Sequence, residues 1–317
     1  MITALRQKTN ILSSLVSNQI FILVVLLFVL CAFFNTQSPY FLTQGNVFNI
    51  STQIVEIGLI AIPMTYVIIS GNMDLSVGSI MGLSAVALGM FHNMAGLNIW
   101  LSVLLALLVG LLCGTFNAFL ISKLKMQAIV VTIGSMVMLR GVIYVLTEGR
   151  PISGYPSEFY FLGQGQLLGV PFNTLILVGF FLLAYYIIRF TRFGRYTYGL
   201  GNNEDAVYYS GINQTNVRFT ILTINGLFAG LAGVFLVSRL ATAEATTGNG
   251  IELSVITAVL IGGTHIFGGR GSLGGTMIGV LIIGVLNNGL NLMGVSSLFQ
   301  MVILGLFILI AVSRQKS

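Results

Sequence analysis

Residues 98–121 read NIWLSVLLALLVGLLCGTFNAFLI, a stretch without one charged side chain. As a helix rising about 1.5 Å per residue it measures roughly 36 Å, enough to cross the ~30 Å hydrocarbon layer of a bilayer. A helix apolar on every side belongs in lipid or in the middle of a bundle. The rest of the chain repeats this pattern. Of 317 residues only 14 are basic and 8 acidic, so 7% are charged, against about 25% in an average soluble chain. Hydrophobic residues make up 56%, and mean hydropathy is +0.97. These values exclude a soluble globular domain, a disordered chain and a disulfide scaffold. What remains is an all-α polytopic membrane protein. Cys31 and Cys113 lie inside apolar runs at no metal-binding spacing. The net charge of +6 forms no basic face of the kind nucleic acid would need.

Working outward, ten candidate spans appear at 17–35, 52–70, 75–93, 98–121, 127–147, 168–189, 217–238, 252–267, 273–293 and 297–313. Arg6 and Lys8 before the first span give it a signal-peptide look, but no small-x-small cleavage site follows, so a retained helix is expected. With the N-terminus inside, eleven of the fourteen basic residues fall in cytoplasmic segments: Arg6, Lys8, Lys123, Lys125, Arg189, Arg192, Arg195, Arg218, Arg270, Arg314 and Lys316. That is the positive-inside pattern, and it predicts both termini in the cytoplasm. Arg150 and Arg239 fall outside, and Arg140, two turns from the outer end of span five, is expected to snorkel outward. The longest loops are 148–167 outside and 190–216 inside, neither of a size to house a catalytic domain. Residues 1–317 therefore read as one membrane domain.

Several chemistries are missing. No lysine follows a glycine, which excludes the P-loop. Gly269-Arg270-Gly271-Ser272-Leu273-Gly274 satisfies G-x-G-x-x-G, but apolar spans flank it and no acid follows, so it reads as a turn between helices. His92 and His265 are far apart and form no relay with acids. Glu56, early in span two, reads as a hydrogen-bonded structural residue or as part of a pathway.

Four polar, glycine-rich segments carry the remaining information. Gly71-Asn72-Met73-Asp74-Leu75-Ser76-Val77-Gly78-Ser79 breaks the chain between spans two and three, where Asp74 and Ser76 can cap the next helix. Residues 191–212, TRFGRYTYGLGNNEDAVYYSGI, predict a short amphipathic helix along the membrane: Asn203 caps it, Glu204 and Asp205 sit in its first turn, and Gly211 ends it. Residues 261–276 hold seven glycines, of the kind that break helices along transport paths. Residues 286–297, LNNGLNLMGVSS, place three asparagines in span nine. Asn287 and Asn291 share one helix face, suited either to neutral hydroxylated solutes or to interhelical hydrogen bonds. Small-xxx-small pairs at Gly78/Gly82, Gly110/Gly114, Gly226/Gly230 and Gly275/Gly279 permit close crossings. A loose similarity links the glycine breaks at 69–82 and 261–279.

These segments resemble, in order, the signatures of the permease subunits of ribose-type bacterial ABC importers: G-I-D-L-S-V-G-S, the F-G-R…G-x-N…G-I loop, G-G-T-x-x-x-G-G-x-G, and N-N-G-L-N-L-x-G-V-S-S. Departures include Asn72-Met73, Gly199, Asp205, Tyr208 and His265-Ile266-Phe267. The resemblance runs from about residue 40 to 312. It implies a permease bundle with discontinuous helices in the bacterial inner membrane, passing a ribose-, xylose- or galactose-like sugar. It implies four partners: a cytoplasmic ATPase that holds ATP and Mg, an extracytoplasmic solute-binding protein, a second and often identical permease chain, and membrane lipid. The chain itself is implied to bind no cofactor and to catalyse no reaction. By resemblance, residues 202–212 within the 190–216 loop form the coupling helix, with Gly201, Asn202, Asn203, Glu204, Asp205, Ala206, Gly211 and Ile212 at the ATPase. Asp74, Ser76, Asn287, Asn288 and Asn291 become candidates for the pathway or its gate. Permeases for furanose signals, nucleosides or branched-chain amino acids share this architecture. An ion-driven carrier or a membrane enzyme would need the ionisable clusters that the sequence lacks.

Overall fold

In a computed structural model, residues 19–313 are described. They form helices α1 (Gln19–Gln37), α2 (Gln44–Ile69), α3 (Val77–Gly89), α4 (Ile99–Ala118), α5 (Ala128–Thr147), α6 (Ser157–Gln164), α7 (Phe172–Phe190), α8 (Arg192–Asn202), α9 (Glu204–Tyr209), α10 (Gln214–Leu240), α11 (Ile251–Ile261), α12 (Leu273–Leu292) and α13 (Ser297–Ser313). Wide π-type turns extend α3 through Met90–Met94 and α4 through Phe119–Lys123. Eight of these helices are long and apolar enough to cross a membrane, and α11 and α13 are shorter apolar helices. Together they occupy the ten expected positions. Arg6, Lys8, Arg314 and Lys316, used to orient the chain, lie outside the described residues.

The eighth position is where expectation and structure part. The sequence suggested 252–267, but α11 has 11 residues, about 16 Å of helix and half a bilayer. Gly263 adopts φ +92° and turns the chain just past Ile261. Before α11, residues 241–250 form a break that opens with Ala241 at φ +59° and holds Gly248 and Gly250 in the left-handed region. The break after α2, residues 70–76, precedes the short helix α3 in the same way. The two breaks are five spans apart, so a count of crossings puts them on opposite sides of the membrane. The loosely similar breaks at 69–82 and 261–279 lie on one side and touch, with the Gly269 amide donating to the Ile69 carbonyl at 2.9 Å.

α2, α3, α10 and α12 form the interior. Every α2 residue from Ile54 to Ile69 is buried, as is all of α3. The outer helices expose large apolar side chains, among them Phe28, Leu104, Val145, Leu182 and Leu309. This reverses the polar surface of a water-soluble protein and matches a lipid-facing one. The glycine pairs make the inner crossings. A Cβ at Gly226 on α10 would lie 2.4 Å from Gly114 Cα on α4. Gly78 and Gly82 face the backbone at Gly248 and Thr247, while Gly275 and Gly279 face Gly262 and Ala258.

Arg140 does not snorkel. Its guanidinium turns inward and donates to the carbonyls of Ala245 at 3.0 Å and Thr247 at 2.8 Å. Carbonyls freed by the 241–250 break need donors inside the bundle, and Arg140 supplies them. The 148–167 loop is also more ordered than its sequence suggested. It contains α6, and Ile152–Ser153 pairs antiparallel with Thr242–Ala243. A second small hairpin, Gln166–Leu167 with Val170–Pro171, delays the sixth span to Phe172.

Candidate coupling and translocation site

The helix expected over 202–212 is the second of two. Thr191 caps α8, accepting from the Gly194 amide. Asn203, with extended backbone, separates α8 from α9 and caps the latter, its Oδ1 accepting from the Ala206 amide at 2.9 Å. Glu204 and Asp205 occupy the first turn of α9, and Gly211 at φ +75° ends the segment. Gly201 and Asn202 therefore close α8. Glu204 forms a bidentate pair with Arg218 on α10, at 2.8 and 2.6 Å. Asp205, Ala206, Tyr208 and Tyr209 are exposed, and Ile212 is half-buried.

The end of α8 is where three of the glycine-rich segments meet. A Cβ on Gly201 would lie 1.9 Å from the Ile69 carbonyl oxygen and 2.3 Å from the Gly269 nitrogen, so only glycine fits there. Asn202 Nδ2 donates to the Gly269 carbonyl at 3.0 Å, and the Tyr198 hydroxyl donates to the Gly271 carbonyl at 2.8 Å. Beside this junction opens a cavity of about 1110 Å³, with Asn72, Lys125, Glu204, Tyr208 and Arg218 among its lining residues.

Deeper in the bundle, Asp74 is fully buried. Its Oδ1 accepts from the Ser76 amide at 2.9 Å and the Ser76 hydroxyl at 2.6 Å, and its Oδ2 accepts from Asn225 Nδ2 at 2.8 Å. Asn117 Nδ2 donates to Ser76 Oγ at 2.8 Å, and Ser135 Oγ donates to Asn117 Oδ1. The 70–76 break is thus tied to α4, α5 and α10. The sequence suggested that Asp74 and Ser76 cap α3, but the Ser76 side chain caps no α3 amide and instead donates, with its own N–H, to Asp74. Asn117, Ser135 and Asn225 were not suggested. Their signal was a lone polar residue within an apolar run, which must find a protein partner or water.

The three asparagines of α12 have separate surroundings. Asn288 is buried and exchanges two hydrogen bonds with Asn46 on α2, at 2.8 and 2.9 Å. Asn291, exposed at the end of α12, accepts from Gln300 at 2.7 Å. Asn287 is half-buried.

α10 joins these places. Its 27 residues span about 40 Å. Near its start Arg218 holds Glu204, and in its middle Asn225 holds Asp74. At its far end Arg239 pairs with Glu56 of α2 at 2.7 Å. Next to it, Ser238 Oγ donates to the Phe159 carbonyl of α6 and accepts from the Gly163 amide. Glu56 accordingly has a charged partner that its sequence position did not reveal.

Eight helices long and apolar enough to cross a bilayer, with a half-length helix and chain breaks between them, define a multi-pass membrane protein. The family described as "branched-chain amino acid transport system / permease component" matches residues 46–312, and the chain belongs to it. The chain is 43% identical to the ribose import permease protein of Bacillus subtilis (strain 168) over 296 residues, covering 92% of this chain and 91% of that one. The ribose import permease protein of Escherichia coli (strain K12) is 41% identical, with 91% of each chain covered. The fructose import permease protein of Rhizobium meliloti is 35% identical, covering 92% of this chain and 83% of the relative. No solved structure matches.

Proposed function

We propose that this chain is the membrane permease subunit of a binding-protein-dependent ABC importer for a neutral monosaccharide of the ribose, xylose or galactose kind. The observation that carries this reading is the course of α10, one helix that grips α9 at one end and α6 at the other. The names of the relatives, ribose and fructose import permeases, support a sugar as cargo. On this reading the whole chain is one domain of the bacterial inner membrane with both termini in the cytoplasm. It binds no cofactor and has no ATPase site of its own. A separate ATPase binds ATP and Mg and docks on α9 and the residues around it, from Gly201 to Ile212. A solute-binding protein docks on the outer face around α6. A second copy of the chain completes the pathway, and lipid surrounds it.

Coupling then has a direct physical form. Both partners bias one equilibrium of the permease. Closure of the ATPase pair moves α9, the Glu204–Arg218 pair carries that movement into α10, and α10 delivers it to α6. Asp74, Ser76 and Asn288 act as hydrogen-bonded joints of the gate. Asn287 and Asn291 offer amide groups to sugar hydroxyls along the path. The test uses the assembled complex in proteoliposomes, with a scrambled 201–211 segment. Loss of sugar-stimulated ATP hydrolysis is expected, and normal stimulation refutes the coupling role. The family description also favours a second cargo, a branched-chain amino acid. Uptake of labelled pentose against labelled leucine by the same vesicles separates the two.

A further inference from the structure

Where α2, α7 and α10 meet, they leave an apolar groove of about 250 Å³. Ile62, Tyr66, Ala184, Ile187, Phe193 and Phe228 are among its walls. The one polar group among these side chains, the Tyr66 hydroxyl, is already used, donating to the Ala184 carbonyl. Leu183 and Ile224, also in the lining, are exposed, so the groove opens on the outer face of the bundle. At the end where α7 passes into α8 stand Arg189, Arg192 and Arg195, all exposed. Among the described residues none of the three is in an ion pair. Phe193, between two of these arginines, forms part of the groove wall and packs its ring 6.2 Å from that of Tyr66. One short segment therefore provides both an apolar wall and a cluster of cations.

An apolar slot open to hydrocarbon, with a cationic cluster at its end, matches the two parts of one molecule. We propose that this groove is a specific site for an anionic glycerophospholipid, with one acyl chain along α2, α7 and α10 and the phosphate-bearing headgroup at Arg189, Arg192 and Arg195. Apolar burial holds the chain, and clustered basic residues at a membrane surface attract acidic headgroups. Because Phe193 belongs to α8, and α8 leads through Asn203 into α9, the bound lipid braces the segment that the import reading assigns to the ATPase. The site extends that reading, and lipid binding is measured separately from transport.

The experiment is native mass spectrometry of the intact permease in mild detergent, with phosphatidylglycerol or phosphatidylcholine added. Wild type is expected to retain phosphatidylglycerol selectively. Basic residues at a surface contribute on the order of 5-fold each to anionic-lipid affinity, so Arg192→Gln/Arg195→Gln is expected to weaken retention by about 25-fold. Ala184→Phe, which fills the groove, is expected to abolish it. A melting temperature in lipid-free detergent verifies that each variant folds, and Ile187→Trp replaces Ala184→Phe if the latter melts early. Equal retention of the two lipids overturns the proposal, as does undiminished retention by either kind of variant. Displacement of the bound lipid by soluble glycerophosphate alone also overturns it, since the groove then holds no chain. Arginine variants that keep the lipid but lose the ATPase assign the arginines to the partner and overturn it too. The import reading stands or falls on the hydrolysis experiment, whichever of these results is obtained.

Discussion

The Asn46–Asn288 clasp offers a quantitative test of how α2 is held to α12. The two amides exchange hydrogen bonds at 2.8 and 2.9 Å, and Asn46 gives its other amide hydrogen to the Phe41 carbonyl at 2.8 Å. Both residues are under 10% exposed, at 8% and 5%. Interhelical hydrogen bonds in membranes contribute about 0.6 kcal/mol on average and about 1.7 at most. Two such bonds give roughly 1–3 kcal/mol. Asn288→Leu leaves Asn46 with an unmet donor and acceptor, at a cost of about 1–3 kcal/mol. Asn46→Leu costs somewhat more, because the Phe41 carbonyl is orphaned as well. Asn46→Leu/Asn288→Leu removes both members together, so its loss is expected to fall short of the sum of the singles by about 1–2 kcal/mol. Unfolding in mixed micelles, followed by the fluorescence of Trp100, the chain's one tryptophan, measures all four proteins. Strict additivity, with a coupling energy near zero, would refute the clasp.

Two further predictions concern the breaks. Arg140→Met is expected to destabilise the fold by about 1–3 kcal/mol, because the Ala245 and Thr247 carbonyls lose their donor. A cysteine at Thr247 should label faster with maleimide in that background than in wild type, and Arg140→Lys should restore part of the protection. Gly201→Ala, whose new methyl would meet the Ile69 carbonyl, is expected to lose sugar-stimulated ATP hydrolysis. By contrast, Gly134→Ala, in helix α5 with no atom within 4 Å of its new methyl, is expected to raise the melting temperature through an intrinsic helix gain of up to about 1 kcal/mol.

The ten spans were legible because their signal is local. A run such as 98–121 reports its surroundings by composition alone, without knowledge of its neighbours. The cap of α9 was legible for the same reason: Asn203, Glu204 and Gly211 act within a few residues of one another. The length of α11 was not, since an apolar run gives no sign of where a Gly-Gly turn cuts it short or whether the helix starts halfway across. Arg140 shows another limit. Distance from the helix end pointed to the interface, but the carbonyls it serves lie over a hundred residues away in the chain. Glu56 with Arg239, and Asn46 with Asn288, are pairings of the same kind, set by which helices touch. Sequence could give each polar residue a need for a partner but not the partner.

The polar contacts along α10 differ in kind, and the difference bears on the proposed mechanism. Both ends are held by arginine–carboxylate pairs, Arg218 with Glu204 and Arg239 with Glu56. Charge-assisted pairs with this geometry are the stronger class of hydrogen bond, and the second has its carboxylate buried. In the middle, Asp74 is met by an amide, a hydroxyl and a backbone N–H, all neutral donors. Asp74 is fully buried, so stripping its donors would strand an unmet carboxylate just as parting Arg239 from Glu56 would, whereas the Glu204–Arg218 pair is partly exposed and screened. Asp74 keeps both Ser76 donors when Asn225 leaves, so the hydrogen bond between Asn225 and Asp74 is the mid-helix contact expected to change between the inward- and outward-open states. Asn225→Leu, which removes that bond and keeps both end grips, should leave α9 and α6 docked on α10 while altering the rate of sugar uptake.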